Sequence, residues 1–331
     1  MQALIEELKS ILASEKKVRG IIKNELVEIR QRYGDERKTK LVRHGLKDFN
    51  PEDLIADEES VLVLTKGGYI KRTNPDEYRK QRRGGLVVVH LDTKEEDFIT
   101  HLVYANTHSE LLFFTDLGKA YKIKMFEIPE GKRATRGKSI MNFLSLSEGE
   151  KITSILPMPK TKKEADDLGL IMVTKNGTGK KTSAKHFHDV RRSGLIAITL
   201  DAGDELISVS FVSKGDDICI ATTQGQSIRF KESDVREMGR NAAGVRVIRL
   251  AEEDKKKGIE ADSVISADVV TKDAKSPMLF VMSANGYGKK TDLGEYKVQN
   301  RGGSGILTAN VTSKTGPLIS ARVVTEELEE I

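Results

Sequence analysis

The pattern of hydrophobic and polar residues divides the chain into two parts, and the first part has the period of an α-helix. Hydrophobic residues recur at steps of three, four and seven, with charged residues between them, at Leu4, Leu8, Ile11, Val18, Ile22, Leu26 and Ile29. This spacing predicts an amphipathic helix over residues 1–32 that ends near Gly34, followed by a polar linker over residues 33–58. The helix could pack on its own domain or pair with another helix, since the heptads are too few to decide.

From residue 59 onward the hydrophobic residues form short runs typical of β-strands, and these runs repeat. A motif of Thr or Ser, any two residues and then Gly occurs five times. Its last residues, which we call the marker glycines, are spaced by 50, 59, 48 and 61 residues: Gly68, Gly118, Gly177, Gly225 and Gly286. An isoleucine before a hydroxyl residue recurs at intervals of 53, 55, 58 and 54 residues, at Ile99, Ile152, Ile207, Ile265 and Ile319. Two independent motifs with one period indicate a true structural repeat.

Each marker glycine lies between two strand-like runs, as in VLVLTKGGYIKRT (61–73) and DICIATTQGQSIRF (217–230). Glycine supplies the positive φ of tight turns, so these segments are predicted hairpins. A repeat of this length with about four short strands is typical of a propeller blade. We therefore predict an all-β, propeller-like fold over residues 59–331, preceded by the N-terminal α-helix. It would have about six four-stranded blades, comprising five full repeats and the start of a sixth at Leu318.

Composition changes this picture little. The chain has 331 residues, 32% of them charged, and a net charge of +5, which indicates a polyanionic partner only weakly. The single cysteine, Cys219, excludes an internal disulfide framework and is predicted to be a buried strand residue. No hydrophobic run reaches membrane-spanning length and the N-terminus lacks the hydrophobic region of a signal peptide, so we expect a cytoplasmic protein with no membrane partner.

The basic residues, in contrast, recur at fixed positions within the repeat. The residue four positions after each marker glycine is basic, and in three repeats so is the residue before it; this group is Lys71, Arg72, Lys122, Lys180, Lys181, Arg229, Lys289 and Lys290. A second glycine follows 16 to 19 residues after the marker, beside Arg82, Arg83, Arg133, Arg136, Arg191, Arg192, Arg240 and Arg301. Equivalent positions in a closed array lie on one ring, so we predict a basic belt at one level and acidic turns at another.

A cationic hairpin end is ordinarily a solvated surface feature, but five in phase repel one another unless an anion neutralises them. Double-stranded DNA carries one charge per roughly 1.7 Å, and a belt that contacts its backbone binds with little sequence preference. A propeller scaffold for acidic proteins would use the same belt. An enzyme with its site at the propeller axis is the weakest alternative.

Catalytic and metal-binding patterns do not stand out. GTGKKT (177–182) and GYGKKT (286–291) lack the spacing of a phosphate-binding loop and occupy the same place in the repeat, so hairpin structure explains them. The pair His186 and His188 has no further ligand at metal spacing. The residues favour a binding module over an enzyme.

Several segments, in order, resemble one family. The repeats resemble the C-terminal β-pinwheel domain of the A subunit of DNA gyrase and of its relative topoisomerase IV. ELVEIRQRYGDERKT (25–39) resembles the end of the helical, coiled-coil arm in that family, and EIPEGKRATRGK (127–138), DVREMGRNAAGV (234–245) and RGGSGI (301–306) resemble blade segments.

The resemblance implies a DNA-wrapping and DNA-bending domain of a type IIA topoisomerase. Gyrase, with ATP-dependent negative supercoiling in the intact enzyme, is the first choice, and topoisomerase IV, with decatenation or relaxation, the second. The implied partners are double-stranded DNA, the ATPase B subunit of the enzyme, and the rest of its A subunit, in the cytoplasm at the nucleoid. The fragment itself would hold no catalytic residue and no cofactor, with ATP and Mg²⁺ used by other parts of the holoenzyme.

The first blade of that family carries a basic, glycine-rich box that permits tight wrapping. Gln81, Arg82, Arg83, Gly84 and Gly85 match this box. Leu86 and Val87 depart from it, where a basic residue and a glycine are expected. The departure points towards topoisomerase IV or a gyrase with weakened wrapping, whereas the other segments are more like gyrase.

Overall fold

A computed structural model describes residues 1–35, 39, 51–77, 97–132, 134–253 and 261–325. The chain forms two compact units, Met1–Asp53 and Leu54–Ile331. Most of the predicted linker, residues 36–38 and 40–50, lies outside the described residues. In the ranges that are described, no helix is both long enough and hydrophobic enough to cross a bilayer.

The first unit contains two helices where the sequence predicted one: α1 (Gln2–Leu12) and α2 (Glu15–Tyr33). Ser14 adopts an extended conformation with φ −131°, which ends the first helix and places Ser14 at the N-cap of the second. Serine favours such positions because its side chain competes for backbone hydrogen bonds. Neither helix has a buried residue, so the hydrophobic stripe of both is exposed.

The second unit consists of short strands with one additional short helix, α3 (Lys162–Asp166). In chain order the strands are β1 (Glu59–Thr65), β2 (Tyr69–Thr73), β3 (Ile99–Asn106), β4 (Glu110–Thr115), β5 (Lys119–Lys124), β6 (Lys138–Ser139), β7 (Ile152–Pro157), β8 (Gly169–Thr174), β9 (Thr178–Ser183), β10 (Leu195–Ile196), β11 (Leu206–Val212), β12 (Asp217–Thr222), β13 (Gln226–Lys231), β14 (Val245–Arg246), β15 (Val264–Val270), β16 (Met278–Ser283), β17 (Gly288–Asp292), β18 (Ile306–Leu307) and β19 (Leu318–Val324).

These strands form five blades in the described part of the chain. Four are four-stranded antiparallel sheets, with strand orders β3-β1-β2-β6, β7-β4-β5-β10, β11-β8-β9-β14 and β15-β12-β13-β18. In each of them the fourth strand comes from the following repeat, so neighbouring blades are joined by strand exchange. The fifth blade has three strands, β19-β16-β17. The all-β, propeller-like prediction is confirmed for these five blades.

The repeated isoleucines lie in the inner strands β3, β7, β11, β15 and β19. Inner strands of successive blades contact one another, and all five line a central channel of about 310 Å³. The strand that begins at Leu318 was predicted to open a sixth repeat, but it pairs with β16 and forms the inner strand of the fifth blade. Each isoleucine motif therefore closes the blade of the preceding hairpin, an offset that spacing alone does not reveal.

Hydrophobic side chains from neighbouring sheets form the core between blades. Phe114 of the second blade packs with Leu170 and Phe187 of the third repeat in one such cluster. Cys219 in β12 is 2% exposed, which confirms its prediction as a buried strand residue. Burial raises the pKa of its thiol to about 12, so the thiol is unreactive at neutral pH.

The residues directly after each fourth strand, which begin at positions 140, 197, 247 and 308, lie against the turn that contains the marker glycine of the preceding repeat. We call this turn the marker turn and each of these segments a latch. The marker glycines have φ between 71° and 81°, as the predicted hairpin turns require. The latch donates a backbone hydrogen bond to the marker glycine carbonyl in four blades, from Ile140 to Gly68 at 2.9 Å, Ala197 to Gly118 at 2.8 Å, Val247 to Gly177 at 2.9 Å and Thr308 to Gly225 at 2.8 Å.

Candidate nucleic-acid interface

The basic residue four positions after each marker glycine connects neighbouring blades. In the first four blades its side chain donates a hydrogen bond to a carbonyl in or next to the 3₁₀ turn of the following repeat. The pairs are Arg72 with Ile128 at 2.9 Å, Lys122 with His188, Lys181 with Glu232 at 3.2 Å and Arg229 with Leu293 at 2.8 Å. These side chains therefore hold adjacent blades together at equivalent positions.

Carboxylates neutralise the same four side chains, which are only 15% to 19% exposed. The ion pairs are Arg72 with Glu130 at 3.4 Å, Lys122 with Glu110 at 2.9 Å, Arg229 with Asp217 at 2.8 Å, and Lys181 with Glu232. A cation that is already paired in this way has little charge to offer a phosphate. Lys290, the equivalent residue of the fifth blade, is exposed and has no ion-pair partner among the described residues.

Lys71 and Lys180 are buried, although the sequence predicted that both contact DNA. Lys71 is 1% exposed and Lys180 is 0% exposed. Their ammonium groups face backbone carbonyls. Lys71 donates to Lys132 at 3.0 Å and Thr135 at 2.7 Å in the following repeat. Lys180 donates to Ala197 of its own repeat at 2.6 Å, and to Gly239 at 3.2 Å and Arg240 in the following repeat. As the structure places them, neither ammonium group can reach a ligand on the surface.

Burial lowers the pKa of both lysines because a charged ammonium group loses its hydration. For Lys180, burial is the larger cause and the nearby charge of Arg240 adds to it, so its pKa falls to about 8. Burial also lowers the pKa of Lys71, against the opposing effect of Glu77.

We expect the contribution of Lys180 to stability to rise with pH. Its pKa is about 8 in the folded protein and 10.5 in the unfolded chain, so between these values the unfolded state binds more protons. The free energy of unfolding of the wild type should therefore increase, relative to that of the Lys180→Met variant, from pH 8 to pH 10.5. Urea denaturation at several pH values in this window measures the difference, and a constant difference would contradict the assignment.

Lys289 has the same position in the fifth blade but is exposed. In the first and third blades the loop of the next repeat covers this position. No such loop among the described residues covers Lys289. The same motif therefore gives a buried ammonium group in one blade and a solvated one in another.

The arginines near the second glycine lie in loops that precede the fourth strands. Arg191, Arg192 and Arg301 are exposed, while Arg136 and Arg240 are half-buried. Of the other residues predicted to bind DNA, Arg133 and the box residues Gln81, Arg82, Arg83, Gly84 and Gly85 lie outside the described residues. The exposed loop arginines, together with Lys289 and Lys290 of the fifth blade, are thus the best placed of the predicted contacts that can be located.

Three of these arginines also make contacts within the protein. Arg301 donates to the carbonyls of Asp234 at 2.7 Å and Arg246 at 3.0 Å, which leaves part of its guanidinium open. Arg192 pairs with Glu127 of the preceding repeat and remains 63% exposed. Arg136 stacks on the Tyr69 ring, with its guanidinium carbon 3.8 Å from the ring centroid.

Loops and fourth strands of successive repeats form a continuous outer surface, which we call the rim: residues 134–145, 185–200, 236–250 and 297–309. Hydrogen bonds join each part to the next, from Ser145 to Arg192 at 3.4 Å, Thr199 to Asn241 at 2.9 Å and Arg249 to Gly303 at 2.9 Å. The fourth strands lie at the opposite edge of each sheet from the inner strands, so the rim runs around the circumference.

The rim carries further exposed basic residues that the fixed offsets from the glycines missed. They are Lys138, Lys185, Arg236, Arg246, Arg249 and Lys297. All lie within ten residues of the second glycine of a repeat. A count of basic residues over the whole loop, instead of at fixed offsets, would have found them.

Acidic side chains cap the marker turns on the opposite side of the hairpins, just before the inner strands. Asp97 accepts a hydrogen bond from the Thr65 hydroxyl at 2.8 Å, and Glu150 accepts one from the Thr115 hydroxyl at 2.7 Å. Asp204 accepts from the backbone N–H of Asn176 at 3.0 Å, and Asp262 from the Thr223 hydroxyl at 2.9 Å. Burial alone would raise the pKa of Glu150, but hydrogen bonds from Thr115, Ser147 and Tyr121 together with the charge of Lys119 lower it. These acids thus lie beside the marker turns, just before the inner strands, while the exposed arginines lie on the rim. The predicted separation of basic and acidic residues into two levels stays a prediction.

Strand hydroxyls in the lining of the central channel donate hydrogen bonds to backbone carbonyls, within a blade or to the next blade. Thr100 donates to the Leu64 carbonyl at 3.2 Å and Ser208 to the Ala267 carbonyl at 2.7 Å. Among the described residues, no three His, Cys, Asp or Glu side chains are grouped to hold a metal ion. His101, Asp268 and Arg322 also line the channel, and their contacts lie within the protein: Arg322 pairs with Asp268 at 3.1 Å and a ring nitrogen of His101 lies 3.1 Å from the Thr153 carbonyl oxygen.

Comparisons with protein families and curated proteins agree. The family model described as DNA gyrase C-terminal domain, beta-propeller, matches residues 59–106, 109–157, 170–213, 216–255 and 277–325. The DNA gyrase A subunit of Clostridium acetobutylicum is 45% identical over 320 residues, covering 97% of this chain and 37% of that protein. The DNA gyrase A subunit of Staphylococcus epidermidis is 39% identical over 323 residues, covering 98% and 35%. The chain thus spans about a third of the length of these relatives.

Solved structures of two C-terminal domains are also similar. That of DNA gyrase A has a TM-score of 0.66 and 27% sequence identity, covering 81% of this chain and 84% of that chain. That of DNA topoisomerase IV has a TM-score of 0.64 and 25% identity, covering 82% and 79%. The two scores do not separate the gyrase type from the topoisomerase IV type.

Proposed function

The chain belongs to the DNA gyrase C-terminal β-propeller family, and from this premise we propose that it binds double-stranded DNA on its rim and bends the duplex around the blades. The observation that carries the proposal is the continuity of the rim, whose hydrogen-bonded loops present exposed arginines in successive repeats. Such a surface meets phosphates along a curved path and reads little sequence. Bending a duplex costs several kcal/mol, which the summed phosphate contacts offset.

In the intact enzyme this domain would hold a DNA segment for the remainder of the A subunit, with ATP hydrolysis supplied by the B subunit in the cytoplasm. Negative supercoiling by a gyrase is our first proposal, because the curated relatives named above are gyrase A subunits. Topoisomerase IV activity is the alternative, supported by the departure at Leu86 and Val87 from the family box.

We also retain the sixth blade as a proposal. The fifth blade lacks a fourth strand among the described residues, and Gly286 has no atom of a latch within 4 Å of where a Cβ would be. Lys289, whose counterparts Lys71 and Lys180 bind loop carbonyls of the next repeat, is exposed beside this open edge. A further repeat would supply the strand, the latch and the carbonyls together.

A titration of the chain with duplexes of increasing length, at several salt concentrations, tests the proposed function. We expect affinity to rise with duplex length, and log K to fall linearly with log salt at a slope of about 0.9 per phosphate contacted. The order of the DNA sequence should matter little. Affinity that ignores both length and salt, or preferential binding of an acidic protein, would favour the scaffold alternative instead.

A further inference from the structure

Two loops of the rim are held from inside the protein by a buried ammonium group. Lys180 donates to the carbonyls of Gly239 and Arg240, and Lys71 donates to those of Lys132 and Thr135. In both cases the lysine belongs to one repeat and the loop to the next. The other equivalent positions among the first four blades are filled by Tyr121 and Ile228, which are also buried.

The direction of these carbonyls determines the direction of the neighbouring N–H groups. In a trans peptide the C=O of one residue and the N–H of the next point to opposite sides, and the described chain has no cis peptide bond. Because the carbonyls of Gly239 and Arg240 point inward to Lys180, the N–H groups of Arg240 and Asn241 point away from it. The same reasoning turns the N–H of Arg136 away from Lys71.

These N–H groups are available to a ligand. Neither Arg240 N–H nor Asn241 N–H donates to an acceptor within the described part of the chain, and the same is true of Arg136 N–H. Asn241 is exposed, and the Arg240 side chain is half-buried beside it. Adjacent backbone N–H groups of this kind bind phosphate oxygens, and an arginine of the same loop can add a charge-assisted hydrogen bond.

We propose that Lys180 is a positioning residue for a phosphate site on the rim, in which the N–H groups of Arg240 and Asn241 and the Arg240 guanidinium bind one phosphate of a DNA backbone. Lys71 positions the N–H and side chain of Arg136 in the same way. The inference rests on the proposed DNA binding and assigns these lysines a role that does not require contact with the ligand. It also explains why basic residues are present in the interior of a DNA-binding domain.

The test compares the salt dependence of duplex binding in Lys180→Met, Arg240→Ala and the double variant. Each single variant should lower the slope of log K against log salt by about 0.9, because one phosphate contact is lost. The double variant should show no further decrease, since lysine and arginine serve the same contact. Ile228→Met, a change at the equivalent position of the fourth blade where no ammonium group is present, should leave the slope unchanged.

Two results would overturn the proposal. A second decrease of about 0.9 in the double variant would mean that Lys180 meets a phosphate itself. An unchanged slope and affinity in a folded Lys180→Met variant would leave the lysine a purely structural role.

A measurement on the wild-type chain tests the site without depending on whether a variant folds. Amide resonances of Arg240, Asn241 and Arg136 should shift on addition of a short duplex, and their failure to shift with both duplex and inorganic phosphate would refute the site. Shifts with inorganic phosphate as well would identify a simple phosphate site, and shifts with the duplex alone a site that requires the DNA backbone. If the wild type does not bind duplex but these amides shift with inorganic phosphate, the proposed function fails while the site stands.

Discussion

Replacement of Gly225 by alanine is expected to lower the free energy of unfolding by about 3 kcal/mol or more, because it combines backbone strain with displacement of a latch. Gly225 has φ +81°, and a Cβ there would lie 2.0 Å from the Ala309 carbonyl oxygen. The latch would have to move, with loss of the hydrogen bonds that Thr308 and Ala309 donate to Gly225. Strand β18, which precedes the latch and joins the fourth and fifth repeats, would loosen with it.

Gly286→Ala is the matched control. Gly286 has the same φ of +81°, but nothing lies within 4 Å of its added Cβ. This variant should therefore lose only the strain of a left-handed conformation, about 1 kcal/mol. Urea denaturation of both variants measures the difference, and equal losses would show that the latch contributes nothing to stability.

Replacement of four rim arginines by alanine is expected to have the largest effect on DNA binding. The variant combines Arg191→Ala, Arg192→Ala, Arg240→Ala and Arg301→Ala. With each phosphate contact contributing about 0.9 to the slope of log K against log salt, we expect the slope to fall by up to ~3.6. Affinity at moderate salt should decrease by about a hundredfold or more. Fluorescence anisotropy with a labelled duplex measures both quantities.

The control must remove the same charge from another surface. Four exposed lysines that are not among the rim residues serve this purpose, Lys66, Lys151, Lys214 and Lys272. Their joint replacement by alanine changes the net charge equally but should leave most of the slope intact. Similar losses in the two variants would indicate that overall charge, and not the rim, attracts the duplex.

Patterns that act over short distances along the chain were sufficient to predict the hairpins and the repeat. A marker glycine with positive φ is required by the turn itself, and the flanking hydrophobic runs are required by burial of the sheet faces. The grouping of strands into blades was harder to predict from the sequence. The inner strand at Leu318 and the short strands β6, β10, β14 and β18 depend on which distant segment supplies a partner, so the repeat spacing assigned Leu318 to the wrong blade.

The roles of the individual basic residues could likewise not be predicted from the sequence. GTGKKT and GYGKKT are almost identical, yet Lys180 is buried against carbonyls of the next repeat and Lys289 is exposed. The sequence alone established that positive charge recurs with the repeat, because composition and spacing are properties of the chain. Whether a given ammonium group faces solvent, a carboxylate or a loop carbonyl was decided by the tertiary structure, since the loop carbonyls that bind Lys180 belong to residues 59 and 60 positions away in the chain.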